Sequence, residues 1–258
     1  MSWDPQQYLK FADLRLRPAL DLLARIPAQS PASVFDLGCG AGNVTRQLAA
    51  RWPHASITGL DSSPDMLAEA KRQLPSARWL QADLSIWRPS QPADVIFSNA
   101  LFHWIKNHRQ VFAGLFESLS PGGVLAIQMP RNQQEPSHTV TSQVAGSGPW
   151  RERLAPLADL FEIWPPDFYH DLLRGQGAAH IDIWESVYQQ ALVGPDPVLE
   201  WIKGTALRPY LAALSDAPDL QAGFLKEVGL RLRDAYPMGQ DGVTLLPFRR
   251  LFIVAARK

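Results

Sequence analysis

Short apolar runs of strand length recur in the first half of the chain, and amphipathic segments with a helical repeat separate them. The strand-like runs cover residues 34–37, 57–60, 77–80, 95–97 and 124–129. Strands that alternate with helices are typical of βαβ units, in which neighbouring strands run parallel. The pattern therefore predicts a doubly wound, Rossmann-like α/β core that closes near Pro130.

Local signals set the ends of two helices in this core. Ser63 can cap a helix that has Pro64 at its first position, where the missing backbone N–H costs little. Another helix is expected over residues 110–119. Gly122 and Gly123 are expected to end that helix and to turn the chain into the next strand.

The rhythm changes beyond Pro130, where polar residues, Gly and Pro become frequent. A period-two pattern over residues 180–192 and an apolar run over residues 251–256 predict the last two strands, next to each other in the sheet. The segment 195–240 between them predicts a helical cap insertion. We expect one domain with four parts. They are a helical N-terminal segment (residues 1–30), a ligand-binding core (31–130), an irregular and partly helical excursion (131–179), and the last two strands with their cap (180–258).

Charge and composition narrow the classes of partner. Lys plus Arg and Asp plus Glu number 25 each, so no net field attracts nucleic acid or an anionic membrane. No apolar run approaches the roughly 20 residues of a membrane span, and the first residues lack the pattern of a signal peptide. We therefore expect a soluble cytoplasmic protein. We also expect no metal site, because no His pair or carboxylate cluster has metal-ligand spacing. The single cysteine, Cys39, is interpreted as a small packing residue.

A glycine loop follows the first strand and predicts a nucleotide-like ligand. Asp36 is followed by Gly38, Gly40 and Gly42, and a helix is expected over residues 43–52. Glycines leave no Cβ to block a ligand, and the N-terminus of the helix faces the same space. The G-x-G-x-G spacing differs from the G-x-G-x-x-G fingerprint that cradles a pyrophosphate. An acid before the loop suits a ligand that carries an amine.

Further polar residues follow the other strands at the same predicted edge of the sheet. Asp61 ends the second strand, where an acid commonly accepts ribose hydroxyls. Asp83 follows the third strand and suits an adenine amino group or an ordinary turn. Asn99 ends the fourth strand, and His103 and Trp104 come directly after it. His103 is compatible with a general base for a hydroxyl or carbon acceptor, and also with a polar pocket wall.

Together these residues resemble the class I S-adenosylmethionine-dependent methyltransferases. The resemblance implies a seven-stranded, mostly parallel sheet in which the last two strands form an antiparallel edge pair. It implies S-adenosylmethionine as the cofactor, S-adenosylhomocysteine as the product, and no certain catalytic residue, with Asn99, His103 and Trp104 in positioning roles. The cofactor site that it implies consists of Asp36, Gly38, Gly40, Gly42, Asp61, Ser62, Met66, Ala82, Asp83 and Asn99.

Segments along nearly the whole chain resemble the trans-aconitate 2-methyltransferase family, and several of them lie outside the cofactor motifs. The segments are residues 3–5, 8–9, 15–19, 59–64, 128–130, 135–138, 207–211 and 250–255. The resemblance implies methylation of a carboxylate of trans-aconitate or a related small polycarboxylate, which gives a monomethyl ester. A carboxylate is ionised at neutral pH and needs no general base to act as a nucleophile.

A polycarboxylate acceptor also needs cations, and planar Arg side chains bind carboxylates better than Lys. Arg208 is the first candidate, and Arg249 or Arg250 before the last strand are further ones. Each of these arginines alone also fits a solvated surface role. The full set predicted for the acceptor is Tyr8, Arg17, Arg131, His138, Arg208 and Tyr210.

Three other functions stay open on the sequence. One is a methyltransferase for a quinone-like or phenolic acceptor with His103 as base. Another is a non-enzymatic S-adenosylmethionine-binding module. The third, a nicotinamide oxidoreductase, predicts binding of NADH instead of S-adenosylhomocysteine. The sequence does not predict the oligomeric state.

Overall fold

The computed structural model describes residues 12–157 and 160–258, with side chains from residue 16 onward. Tyr8 therefore lies outside the described residues. The chain forms two compact units. The sheet unit comprises Arg15–Pro130, Phe161–Ser186 and Arg250–Lys258, and the helical unit comprises the described parts of residues 1–14 and 131–160 together with Val187–Arg249.

The strands are numbered in chain order. They are β1 (Ser33–Leu37), β2 (Ser56–Asp61), β3 (Arg78–Gln81), β4 (Ala93–Asn99), β5 (Leu119–Pro130), β6 (Ala178–Val193) and β7 (Val243–Arg257). The α-helices are α1 (Ala12–Ala24), α2 (Asn43–Arg51), α3 (Pro64–Gln73), α4 (His108–Glu117), α5 (Pro136–Ala145), α6 (Arg151–Leu154), α7 (Pro166–Gly175), α8 (Pro197–Lys203), α9 (Arg208–Ala213) and α10 (Pro218–Ala235). Short 3-10 turns lie at Phe102–Trp104 and Ala155–Leu157.

The sheet has the order β3-β2-β1-β4-β5-β7-β6 in the described chain. The pairs β1–β2, β1–β4, β2–β3 and β4–β5 are parallel. β7 runs antiparallel to β5 and lies between β5 and β6. The predicted seven-stranded, mostly parallel sheet with two final strands at one edge is therefore confirmed. β7 is longer than the predicted run, because it already begins at Val243.

One face of the sheet packs against α4 and α7. Ile127 and Met129 of β5 belong to the same buried cluster as Phe112 of α4 and Tyr169 of α7. Three alternate residues of β7 belong to this cluster as well, namely Leu251, Ile253 and Ala255. Because side chains alternate along a strand, the residues between them point to the opposite face.

The start of β5 differs from the expectation. α4 ends at Glu117, and β5 already begins at Leu119. The pairing of β5 with β4 shifts register between Ala93 and Val95, and Gly122 has a φ of +75°. The prediction that Gly122 and its neighbour end the helix is wrong. They form a bulge-like irregularity inside the strand, where glycine tolerates the left-handed backbone.

The stretch after Pro130 is more helical than the sequence indicates, since it contains α5 and α6. α5 buries Ser137 and Thr141 as well as apolar residues, so a period of apolar positions was not visible there. β6 also departs from a simple alternation. Val187 is 43% exposed, whereas Tyr188 is buried, so the inward-facing positions switch within the strand.

Candidate active site

The three glycines after β1 adopt left-handed backbone angles, and two of them are required by packing. An added Cβ at Gly38 would lie 2.9 Å from Leu101 Cβ, and one at Gly42 would lie 3.0 Å from the Trp79 ring. At Gly40 no atom of the described residues lies within 4 Å of an added Cβ. Gly40 therefore leaves open space, as expected where a ligand approaches the backbone.

The Asp61 carboxylate ties the glycine loop to the end of β2. Its Oδ2 accepts a hydrogen bond from the Gly40 amide at 2.9 Å, and its Oδ1 accepts one from the Ser63 amide at 2.9 Å. Each carboxylate oxygen has two lone pairs, so each can accept one further hydrogen bond. Asp61 thus positions the loop and keeps further acceptor capacity, while a contact with ribose hydroxyls stays a prediction.

Asp36 lies beneath the loop and is 2% exposed. Burial raises the pKa of Asp36 to about 7, although the Thr45 hydroxyl stabilises the charged form by donating to Oδ2 at 2.6 Å. Thr45 lies in the first turn of α2 and was not among the predicted site residues. A buried carboxyl with this pKa becomes ionised readily when a positive group binds nearby.

The predicted adenine side lies around the ends of β2 and β3. The Ala82 amide donates to the Asp61 carbonyl oxygen at 3.1 Å, Met66 is buried in α3, and Ser62 is exposed. Asp83 is exposed, and its Oδ1 accepts from the Ser85 amide at 2.9 Å and from the Ser85 hydroxyl at 2.6 Å. These bonds lower the pKa of Asp83. They form an ordinary turn, so an adenine contact of Asp83 stays a prediction.

An aromatic wall follows β4. His103 is buried, and its ring centroid lies 5.0 Å from that of Trp104 and 5.8 Å from that of Phe161. Trp104 is 37% exposed. Asn99, at the end of β4, has a buried Oδ1 with no hydrogen-bond partner among the described residues. The three residues predicted to position the acceptor therefore lie together after one strand.

Gln128 was not among the predicted site residues. It pairs with Asn99 across β4 and β5, is 0% exposed, and neither its Nε2 nor its Oε1 has a partner among the described residues. The signal was available, because Gln128 is the one polar residue in the apolar run 124–129.

The residues predicted for the acceptor are distributed over both units. Arg17 is exposed on α1 of the sheet unit. The others with described positions, namely Arg131, His138, Arg208 and Tyr210, belong to the helical unit.

Within the helical unit, Arg131 and His138 lie on one hydrogen-bonded segment. The Arg131 amide donates to the Arg249 carbonyl at 3.0 Å, and the His138 amide donates to the Glu135 carbonyl at 2.9 Å. Desolvation lowers the pKa of His138 to about 4, so its imidazole is neutral near pH 7. Arg249 Nε lies 3.4 Å from Glu135 Oε1.

Arg208 begins α9, and Tyr210 lies in its first turn. The Tyr210 hydroxyl donates to the Leu157 carbonyl at 3.4 Å, and its ring stacks on Phe224 at 5.9 Å. Burial raises the pKa of Tyr210. Tyr210 therefore packs the helical unit, and an acceptor contact of this residue stays a prediction.

The described residues contain no group of three or more His, Cys, Asp or Glu side chains that could hold a metal ion. No helix in the described ranges is long and apolar enough to cross a membrane.

Comparisons with known proteins agree with this geometry. A family model described as "Methyltransferase domain" matches residues 34–123. Trans-aconitate 2-methyltransferases of Azoarcus sp. strain BH72 and Methylobacterium nodulans are 46% and 49% identical to the chain, over 99% of its length. The match covers 99% and 98% of those two proteins.

Solved structures show the same fold at low sequence identity. The YcgJ protein of Bacillus subtilis matches with a TM-score of 0.60 and 14% identity, over 94% of this chain and 99% of that one. An S-adenosylmethionine-dependent methyltransferase from Mesorhizobium loti matches with a TM-score of 0.53 and 20% identity, over 92% of this chain and 96% of that one.

The sheet order, the glycine loop after β1 and the acid after β2 define the class of protein: the chain is an S-adenosylmethionine-dependent methyltransferase. This is the class that the sequence predicted. The nearly full-length identity to the curated relatives then decides the family. The chain belongs to the trans-aconitate 2-methyltransferase family.

Proposed function

We propose that this protein methylates a carboxylate of trans-aconitate or of a related small polycarboxylate. The observation that carries the proposal is identity of 46% and 49%, over nearly the whole chain, to proteins named for that reaction. The match includes the helical unit as well as the cofactor motifs. A relation limited to the cofactor-binding core would leave the acceptor open.

The residues of the sheet unit fit S-adenosylmethionine. Gly40 leaves open space, Asp61 keeps acceptors for ribose hydroxyls, and Asp36 provides a negative charge for an amine. The cofactor supplies a sulfonium-bound methyl group; its transfer forms a bond from a carboxylate oxygen to carbon, breaks the carbon–sulfur bond and leaves that electron pair on sulfur. No proton moves in this reaction.

The protein therefore works by positioning and by excluding water. Alignment of an already ionised nucleophile can supply about 7–11 kcal/mol through proximity and orientation. His103 and Trp104 form a wall beside Asn99, where they limit the approach of water. The reaction requires no general base, so His103 acts as part of this wall in our proposal.

In the same proposal, Arg17, Arg131 and Arg208 neutralise carboxylates of the acceptor, and His138 and Tyr210 contribute polar contacts. The support is chemical, because a tricarboxylate needs several cations and Arg forms paired hydrogen bonds with carboxylates. We also propose that the protein acts in the cytoplasm on a freely diffusing acceptor. Its balanced charge supports no role for nucleic acid or an anionic membrane.

A methyl-transfer assay with labelled cofactor tests the function. The panel should contain trans-aconitate, cis-aconitate, citrate, isocitrate and simple phenols. We expect the highest kcat/KM with trans-aconitate. A preference for phenols would instead support the aromatic acceptor with His103 as base. Binding of S-adenosylhomocysteine without transfer to any acceptor would indicate a binding module.

Asp61→Ala should weaken cofactor binding, because it removes the ribose acceptors and the bond that holds Gly40. We expect a rise of about 10-fold or more in the Kd of S-adenosylhomocysteine, from the loss of at least one charge-assisted hydrogen bond. Calorimetric titration measures it. An unchanged Kd would contradict the assignment of Asp61.

Arg208→Ala should mainly raise the acceptor KM, because it removes a cation without touching the cofactor residues. Loss of one charge-assisted contact corresponds to about a 10- to 100-fold increase. Arg174→Ala, which removes an exposed arginine from the last turn of α7, is the matched control and should leave the KM unchanged. Unchanged acceptor kinetics in Arg208→Ala would remove this residue from the acceptor site.

A further inference from the structure

Gln128 combines complete burial with an unused primary amide. It lies near the end of β5, is 0% exposed, and has no hydrogen-bond partner for Nε2 or Oε1 among the described residues. Burying a polar group without a partner is costly, and buried amides in folded proteins nearly always have one. A ligand that brings a carboxylate oxygen would provide the missing acceptor for Nε2.

Gln128 shares its face of the sheet with other polar residues. It pairs in register with Asn99 of β4 and with Phe252 of β7, so these three side chains point to the same face. Arg250 pairs with Pro130 and is two residues from Phe252, which places it on this face as well. Arg250 is 5% exposed.

This face is not the one that packs on α4 and α7. Ile127 and Met129, the neighbours of Gln128 along β5, point into that apolar cluster instead. On the face of Gln128, the Trp184 ring stacks flat on Phe252 at 4.6 Å. The sheet unit thus carries two amides and a buried guanidinium on one face, near the carboxyl ends of β4 and β5.

The same group lies close to the glycine loop. Ser98, the residue before Asn99, pairs with Leu37 at the end of β1, and its hydroxyl donates to the Leu37 carbonyl at 2.9 Å. The Gln128 carbonyl accepts from the Ala100 amide at 2.9 Å. β1 and β5 are separated by β4, so Gln128 lies about two interstrand spacings, or roughly 10 Å, from the start of the loop.

We propose that Gln128 and Arg250 bind a carboxylate group of the acceptor, on the face that they share with Asn99. This inference rests on the proposed function and adds two specificity-determining residues to it. The Gln128 amide nitrogen donates to a carboxylate oxygen, and Arg250 supplies the positive charge. Water molecules carried with the polyanion donate to the amide oxygens of Gln128 and Asn99.

The proposal explains selection against apolar acceptors. A phenol or quinone in this place would leave the buried Gln128 amide without compensation. Sites built to hydrogen-bond a substrate reject analogues that lack the matching group. The chemistry of this face therefore favours an anionic acceptor over an aromatic one.

The decisive variant is Gln128→Met, which keeps the approximate volume and removes both polar atoms. We expect the KM for trans-aconitate to rise by about 10- to 100-fold, as for the loss of one hydrogen bond to a charged group. The Kd of S-adenosylhomocysteine should stay within about twofold, and the melting temperature should stay equal or rise, because an uncompensated amide is removed. Gln110→Met makes the same change on the exposed side of α4 and should leave all three values unchanged.

Arg250→Lys tests the second residue, since it keeps the charge and removes the planar fork. We expect a rise of about 10-fold in the acceptor KM with unchanged cofactor binding. Three results would overturn the proposal. An unchanged acceptor KM in Gln128→Met would show that the amide does not bind the acceptor. A loss of the fold would assign the amide to structure, and an effect on the Kd of S-adenosylhomocysteine alone would assign it to the cofactor.

Failure of the inference and failure of the proposed function give different results. If the wild type methylates trans-aconitate and Gln128→Met has an unchanged KM, the inference is wrong and the proposed function still holds. If the wild type methylates no carboxylate, calorimetry with trans-aconitate and S-adenosylhomocysteine decides: binding that Gln128→Met loses supports the inference without the function. No binding to the wild type overturns both.

Discussion

Asp36 is a buried acidic side chain in β1, two residues before the glycine loop. The Thr45 hydroxyl donates to its Oδ2 at 2.6 Å, and burial is the main cause of its raised pKa. A carboxyl in this state destabilises the folded protein when it ionises alone, and it becomes favourable when a cation binds nearby. In the proposed function, Asp36 therefore lowers the stability of the free protein and increases its affinity for the amine of the cofactor.

Asp36→Asn should stabilise the protein at neutral and higher pH. The pKa of Asp36 is 3.8 in the reference state and about 7 in the fold, so the unfolded chain loses its proton first as the pH rises between these values. The wild type therefore loses stability across that window, and the variant does not. We expect equal free energies of unfolding near pH 4 and an advantage of about 4 kcal/mol for the variant above about pH 7, at about 1.4 kcal/mol per pKa unit. Urea unfolding at a series of pH values measures the difference.

The matched control is Asp234→Asn, which neutralises an exposed carboxylate near the end of α10. Its difference from the wild type should not grow across the same window. The stabilised Asp36→Asn protein should also bind S-adenosylhomocysteine more weakly, since the charge opposite the amine is gone. A stability gap for Asp36→Asn that is constant over pH would contradict the assignment of a raised pKa.

Gly40 and Gly59 separate a binding effect from a packing effect. In Gly40→Ala the added Cβ meets no described atom within 4 Å but enters the ligand space, at a φ of +54°. We expect a loss of about 1 kcal/mol in stability from the left-handed backbone and a rise of at least about 10-fold in the Kd of S-adenosylhomocysteine. If Gly40→Ala binds S-adenosylhomocysteine with the wild-type Kd, the cofactor does not approach Gly40.

Gly59→Ala tests packing alone. Its Cβ would lie 2.3 Å from the Trp79 ring, so about 1–3 kcal/mol of stability should be lost.

At the scale of elements, α4 depends on a distant segment for its start. Its N-cap residue, Asn107, has a φ of +60° and makes no side-chain capping bond. Instead the Glu162 carboxylate accepts from the amides of Asn107 at 3.1 Å and His108 at 2.9 Å, and from Trp164 Nε1 at 3.1 Å. Burial opposes the charge of Glu162, yet these donors outweigh it and lower the pKa of Glu162.

Glu162→Ala should therefore destabilise the fold, because it leaves the first amides of α4 without an acceptor. We expect a loss of about 1–2 kcal/mol in the free energy of unfolding at neutral pH, as for other helix caps, and a smaller loss in Glu162→Gln, which keeps one acceptor oxygen. The lowered pKa means that the wild-type advantage exists above the unfolded pKa and fades as acid protonates the folded carboxylate. Urea unfolding at pH 7 and at low pH tests this. An advantage that persists at low pH would contradict a charge-assisted cap.

The same scale shows how far local patterns reach. Ser63 and Pro64 start α3 as predicted, and the Ser63 hydroxyl accepts from the Met66 amide at 3.3 Å. Ser63 lies three residues before the amide that it caps, so this cap is visible in the local sequence. The cap from Glu162 acts over 54 residues, and no local pattern contains it. The bulge at Gly122 was likewise misinterpreted, because glycine signals a turn and a strand irregularity equally well.

For the whole molecule, ligand binding should be visible as added stability. A ligand that binds only the folded state at about 100 times its Kd contributes roughly 2.7 kcal/mol. We expect S-adenosylhomocysteine to raise the melting temperature and NADH at the same concentration to leave it unchanged. A shift with NADH and none with S-adenosylhomocysteine would contradict the class assignment. Thermal denaturation followed by fluorescence is sufficient.

The sequence by itself determined the sheet, the cofactor loop and the family. Apolar periodicity, glycine spacing and the acid after β2 are local properties of the sequence. Strands of a parallel sheet are buried on both faces, and therefore they appear in the sequence as apolar runs. Only the tertiary structure decided which polar side chains are buried together. It brought Asn99 and Gln128 into register across two strands, placed Thr45 against Asp36, and placed Glu162 at the start of α4. Thr45 and Asp36 are nine residues apart, and the other pairs are much further apart in the chain. All of these contacts depend on how strands, helices and loops pack and not on any local pattern.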